Sequence, residues 1–121
     1  MTPTVAIVEP YRDLALTLNE VVVMAHCTPV TLGSLDALPA MSPPPAAIVV
    51  RVATDSPFEG PHAGLGQIPR AARPMVFALV SSDADAAEAT RLGCEVVLRA
   101  PEQVRGLYEA LARVAGRGTR D

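Results

Sequence analysis

Short apolar runs alternate with helix-periodic segments along all 121 residues, and this alternation limits the fold more than any other feature. The strand-like runs are Thr4 to Val8, Pro29 to Leu32, Ala46 to Val52, Met75 to Val80 and Glu95 to Leu98. The third is the most continuously apolar, as expected of a central strand buried on both faces. A helix is predicted from near Tyr11 to about Met24, with Leu14, Leu18, Val21 and Val22 spaced for one buried stripe. The Val21-Val22-Val23 cluster has poor helix propensity, so tertiary packing must hold that helix end.

Ser34 can cap a brief helix through Leu38, which Pro39 and then Pro43-Pro44-Pro45 should break. From Asp55 to Arg73 the chain is least regular, with Pro57, Pro61, Pro69, Gly60, Gly64 and Gly66; any helix there is short. Ser82 and Asp85, three apart with acidic charge in the first turn, start an Ala-rich helix, and Gly93 suits a left-handed C-terminal cap. Pro101 opens a last helix carrying Val104, Leu107, Tyr108, Leu111 and Val114 at helical spacing. The domain is expected over residues 1–116, with a flexible tail over 117–121. Five βα units with right-handed crossovers predict an α/β, flavodoxin-like, doubly wound three-layer sandwich. Its five-stranded parallel sheet should carry helices on both faces, the third helix short or absent.

Composition narrows the function classes. Half the residues are apolar and only 3% aromatic, so the core must be built from Val, Leu, Ile and Ala. A net charge of -3 argues against the basic face that phosphate-backbone contacts require, and no direct nucleic-acid partner is expected. Lys is absent; Arg99, Arg105, Arg113, Arg117 and Arg120 leave room only for a local basic spot near the end. Cys27 and Cys94 lack metal-ligand spacing and read as two buried free thiols, with a disulfide left open. There is no basic segment followed by an apolar one at the start, and no run near the roughly 20 residues of a membrane span. The expectation is a cytoplasmic protein that does not meet the membrane.

The carboxyl ends of parallel strands form the ligand crevice of an open α/β sheet. Here the first strand ends in Glu9-Pro10 and the third in Arg51. Two readings of Arg51 stand side by side: its guanidinium pairs with Glu9 and fills the crevice, or it points to solvent and Glu9 is a surface acid. Asp13 falls a turn into the first helix and reads as solvated. The Gly64-x-Gly66 element follows no strand, adjacent His26 and Cys27 point to opposite faces, and Ser34, Ser81 and Ser82 lack a nucleophile elbow. None of these supports catalysis.

Several landmarks, taken in order, resemble the receiver domain of bacterial response regulators over nearly the full length. They are Ile7-Val8-Glu9 before a helix, Pro45 to Val50 approaching the third strand's end, and Phe58-Glu59-Gly60. Arg73-Pro74 before the fourth strand, Ala89 to Cys94 closing a helix, and the Leu98-to-Pro101 spacing complete the set. The resemblance implies an acceptor Asp ending the third strand, two Mg²⁺-binding acids after the first, a hydroxyl after the fourth, an aromatic in the fifth, and a Lys-Pro pair. Carried onto this chain, only Glu9 and Pro101 match. The second acid is Pro10, the acceptor position Arg51, the hydroxyl position Leu79, the aromatic position Val97 and the Lys position Ala100, with Arg99 adjacent.

The resemblance therefore implies a degenerate receiver: Glu9, Pro10, Arg51, Leu79, Ala100 and Pro101 line a phosphoacceptor pocket without metal, cofactor or catalysis. It would act through contact with a protein partner or fused output domain in bacterial signalling or transcriptional regulation. Ala87, Arg91, Val97, Arg105 and Tyr108 mark a possible interface on the Ala-rich helix, the last strand and the last helix, where homodimers would form. Two alternatives remain at this point. One is an active receiver using divergent residues, with Asp55 or another acid accepting the phosphoryl group. The other is a flavodoxin-like small-molecule binder, against which the Glu9-Pro10-Tyr11-Arg12 turn offers no glycine for backbone approach to phosphate.

Overall fold

The computed structural model describes residues 3–9, 11–41, 44–54, 62, 64–68, 74–99 and 103–119. Five strands, β1 (Thr4–Val8), β2 (Thr28–Leu32), β3 (Ala47–Arg51), β4 (Met75–Val80) and β5 (Val96–Arg99), form one sheet in the order β2-β1-β3-β4-β5. Every pairing is parallel. The α-helices are α1 (Arg12–Met24), α2 (Asp83–Arg91) and α3 (Gln103–Thr119). Where β2 returns to β3 the chain makes a 3-10 helix, Leu35–Ala40, and a second one, Leu65–Gln67, lies between β3 and β4. This is the flavodoxin-like doubly wound sandwich, with its middle helices reduced to 3-10 turns.

Alternation along the strands sorts the core into two layers. Val5, Ile7, Ala47, Val49, Phe77 and Leu79 face one way and meet Leu18, Val22, Leu107 and Leu111 of α1 and α3. Ala6, Val8, Ile48, Val50 and Val76 face the other way and meet Leu35 and Leu65 of the two 3-10 helices. Val52, Ala78 and Val80 pack with Ala89 of α2. β3 and β1 sit in the middle and are buried on both faces, as their composition requires.

Five local expectations need correction. Leu14 is exposed, and the buried stripe of α1 runs through Ala15, Leu18, Val21 and Val22, a small residue taking the place of the large one. Pro39 does not stop the helix begun at Ser34: its fixed φ suits consecutive 3-10 turns, and the element runs to Ala40. Cys94 is only half-buried, whereas Cys27 is buried, and no disulfide joins them. On α3, Leu107, Leu111 and Ala115 are the buried residues, while Val104 and Tyr108 are substantially exposed. That helix continues to Thr119, past the point where a tail was expected to begin.

The helix starts follow their sequence signals. Ser34 Oγ accepts from Asp36 N, and Ser82 Oγ from Asp85 N at 3.1 Å. Gly93 closes α2 at φ 81°, a left-handed conformation that costs glycine little. Burial pushes the Cys27 thiol up from its ordinary pKa, which makes it an inert core residue.

Candidate functional site

β1 and β3 are neighbours in the sheet, and residues of equal parity on the two strands share a face. Glu9, two past Ile7, and Arg51, two past Val49, therefore emerge side by side at the carboxyl end. Glu9 is one of two buried charged residues among those described, at 4% exposure. Arg51 Nε donates to Glu9 Oε2 at 3.2 Å, and Arg51 Nη2 donates to Glu9 Oε1 at 3.3 Å. The pair is bidentate, its carboxylate 2% and its guanidinium side chain 30% exposed. Of the two readings of Arg51, the structure has the paired one.

Tyr11 completes this cluster. Its backbone N–H donates to Glu9 Oε1 at 3.1 Å, and Arg51 Cζ lies over its ring, 5.1 Å from the centroid. Tyr11 is the N-cap residue of α1 and has no side-chain cap, so the Glu9 carboxylate also sits where the positive end of the helix favours an anion. A planar cation thus has a carboxylate in its plane and an aromatic face against it, both arrangements that suit Arg and not Lys. Sequence reading passed over Tyr11; its position two residues after the strand-end acid was the available signal.

Leu79 is the register partner of Arg51 on β4 and is buried, so an apolar side chain stands at the position expected for a sensing hydroxyl. Ser81, two residues on, is exposed. Pro10, Ala100 and Pro101, and Asp55 of the alternative reading, lie outside the described residues. Asp13 is exposed in the first turn of α1. No group of three His, Cys, Asp or Glu capable of holding a metal occurs among the described residues.

The second buried charge is Asp85, at 5% exposure, in the first turn of α2. Asp85 Oδ1 accepts from Thr54 N at 2.9 Å and from Thr54 Oγ1 at 2.8 Å; Oδ2 accepts from Ser81 N at 3.4 Å. Burial opposes ionisation of this carboxyl, yet the bonds from Thr54, Ser81 and Ser82 outweigh it and hold the pKa below the usual carboxylate value. The motif was read only as a helix start; its link to Thr54, 31 residues away, leaves no local trace.

The expected interface residues divide between the two faces beside β5. Leu98 is approached by Gly106 so closely that a Cβ there would meet its Cδ2 at 2.9 Å, so this flank of α3 packs on β5. Tyr108 lies about 200° further round and turns away from β5. Val97, alternating with Leu98, faces the α2 side and is 36% exposed. Ala87, Arg91 and Arg105 are exposed, and the cations here are already paired: Arg91 with Glu88, Arg105 with Glu109, and Arg99 with Asp83.

No family model matches the sequence, and no curated protein matches it. Solved structures do. A receiver domain of a Francisella response regulator superposes with a TM-score of 0.76 at 14% identity, covering 98% of this chain and 100% of that one. A response regulator receiver protein from Burkholderia phymatum gives 0.73 at 17%, with 95% and 96% covered. Response regulator DrrB from Thermotoga maritima gives 0.73 at 15%, where 99% of this chain matches 55% of a longer one. At these identities the likeness establishes the fold, which is that of response regulator receiver domains. No described helix is long and apolar enough to cross a membrane.

Proposed function

We propose that this chain is a receiver-like signalling domain that is not phosphorylated and acts by contact with a protein partner or a fused output domain in bacterial signal transduction or transcriptional regulation. The carrying observation is the Arg51–Glu9 pair at the carboxyl ends of β3 and β1. A guanidinium forms no acyl phosphate, and its charge repels the divalent cation that phosphoryl transfer in such a crevice needs. Leu79, in register beside it, sets an apolar side chain where the resemblance expects a hydroxyl that responds to a bound anion. The remaining pocket positions, Pro10, Ala100 and Pro101, carry no acid, hydroxyl or amine in the sequence, which agrees with this reading. The domain works in the cytoplasm without cofactor or catalysis.

A small phosphoryl donor with Mg²⁺ should leave the protein's mass unchanged, and beryllofluoride with Mg²⁺ should leave its amide spectrum unchanged. A metal-dependent adduct, on Asp55 or any other acid, would overturn the proposal in favour of an active receiver. The homodimer proposed on the surface of α2, β5 and α3 rests on exposed Ala87 and Val97, which permit close approach. Light scattering at micromolar concentration tests it, and a clean monomer counts against it.

A further inference from the structure

Ligands of open α/β sheets bridge loops at the carboxyl ends of neighbouring strands. In this protein the loops after β3 and β4 are bridged by the protein itself. Asp85 lies at the start of α2, and its two carboxylate oxygens divide between the loops. Oδ1 takes both the amide and the hydroxyl of Thr54, three residues past Arg51, and Oδ2 takes the amide of Ser81, directly after β4. Ser82 Oγ accepts the Asp85 amide in return and fixes the helix start from which the carboxylate projects. Val52, Ala78, Val80 and Ala89 form a buried apolar cluster, and Val52 N donates to Leu79 O at 3.0 Å. A buried carboxylate with these three donors is costly to displace, because each donor would be left to find water at a site that is largely closed.

We infer that Asp85 is a built-in clamp that holds Thr54, three residues past β3, to Ser81, directly after β4, taking the bridging role that a ligand has in other sheets of this kind. The inference concerns loop order and stands whether or not the crevice accepts a phosphoryl group. Asp85 acts as a positioning residue: what it fixes is the backbone at Thr54 and Ser81, and with it the point from which the loop after β3 departs.

Residue-resolved amide exchange on the intact chain tests this, comparing wild type with Asp85→Asn, Asp85→Ala and Thr54→Val. In wild type the amides of Thr54 and Ser81 should exchange at least about tenfold more slowly than exposed loop amides, as hydrogen-bonded groups that open only locally do. Asp85→Asn keeps an oxygen for Thr54 but replaces the acceptor facing Ser81 with a donor, so Ser81 alone should lose protection. Thr54→Val keeps the amide and removes the hydroxyl, giving partial loss at Thr54. Asp85→Ala should release both amides while those of β1 and β3 keep their protection. Should Asp85→Ala not fold, the Asn and Val variants give the same reading. Fast exchange at Thr54 in wild type would overturn the clamp. So would loss in the variants that merely tracks global unfolding across all strands.

Discussion

Glu9 and Asp85 are equally buried carboxylates at the same end of one sheet, and they are neutralised in opposite ways. Glu9 faces a formal cation, Arg51, and one backbone amide. Asp85 pairs with no cation among the described residues and accepts from two amides and a hydroxyl. The first arrangement depends on the identity of one distant side chain; the second is built mainly into backbone that any sequence of this loop path would supply. A change at position 51 therefore rewrites the chemistry of the crevice, whereas a change at position 85 alters how firmly the rim is held.

Arg51→Asp attacks the contrast most strongly. It sets a second carboxylate beside Glu9 in a mostly enclosed site, and breaking a buried pair this way costs about 3–5 kcal/mol. The expected outcome is a large fall in melting temperature, partly recovered by Mg²⁺, with no Mg²⁺ effect in wild type. A variant that melts like wild type and ignores Mg²⁺ would show that Glu9 does not feel position 51. Asp85→Ala comes next. It strands the Thr54 and Ser81 donors, and about 2–3 kcal/mol should be lost in denaturant unfolding. Arg51→Met keeps an unbranched apolar stem and removes the charged head, leaving Glu9 with the Tyr11 amide; about 1–3 kcal/mol is expected because Arg51 is partly solvated.

Much of this fold was legible because hydrophobic periodicity is a local property. The strand runs, the Ser82 cap and the left-handed Gly93 all follow from residues within a few positions of one another. What stayed hidden depended on size or distance. Ala15 replaced Leu14 in the buried stripe of α1 because a small residue close to the sheet leaves no strong mark in a hydropathy pattern. Glu9 and Arg51 were both visible as strand ends, yet 42 residues separate them, and only the parallel register of β1 with β3 makes them neighbours. Pairing then prevailed over solvation because Glu9 is sealed beneath the α1 start and needs a partner. Tyr11 and Thr54 gained their roles in the same way, from side chains delivered by distant elements, Arg51 of β3 and Asp85 of α2.

The pH response gives a separate test of Asp85. The folded pKa of Asp85 is depressed, so its contribution is complete above the ordinary value of 3.8 and is lost as pH falls through the lower folded value. Asp85→Asn has no such group. The stability gap between wild type and Asp85→Asn should therefore be constant from neutral pH down to the ordinary carboxylate range and narrow below it. A gap that closes already near neutrality would mean that Asp85 is not held ionised by its donors.

The smallest effect isolates the aromatic side of the crevice. Tyr11→Phe keeps a ring over Arg51 and should be close to neutral, while Tyr11→Ala removes it and should cost about 0.5–1 kcal/mol, the worth of a cation–π contact at an open site. Both leave the backbone amide that Glu9 accepts, so neither touches the carboxylate directly. The decisive comparison is the pair of changes made together. If the ring acts through the guanidinium, Tyr11→Ala should cost nothing further in the Arg51→Met background, because the cation it faces has gone. Undiminished cost in that background would assign Tyr11 to packing on α1 instead, and would leave the ion pair, not the stacked ring, as the whole of what closes the β1–β3 side.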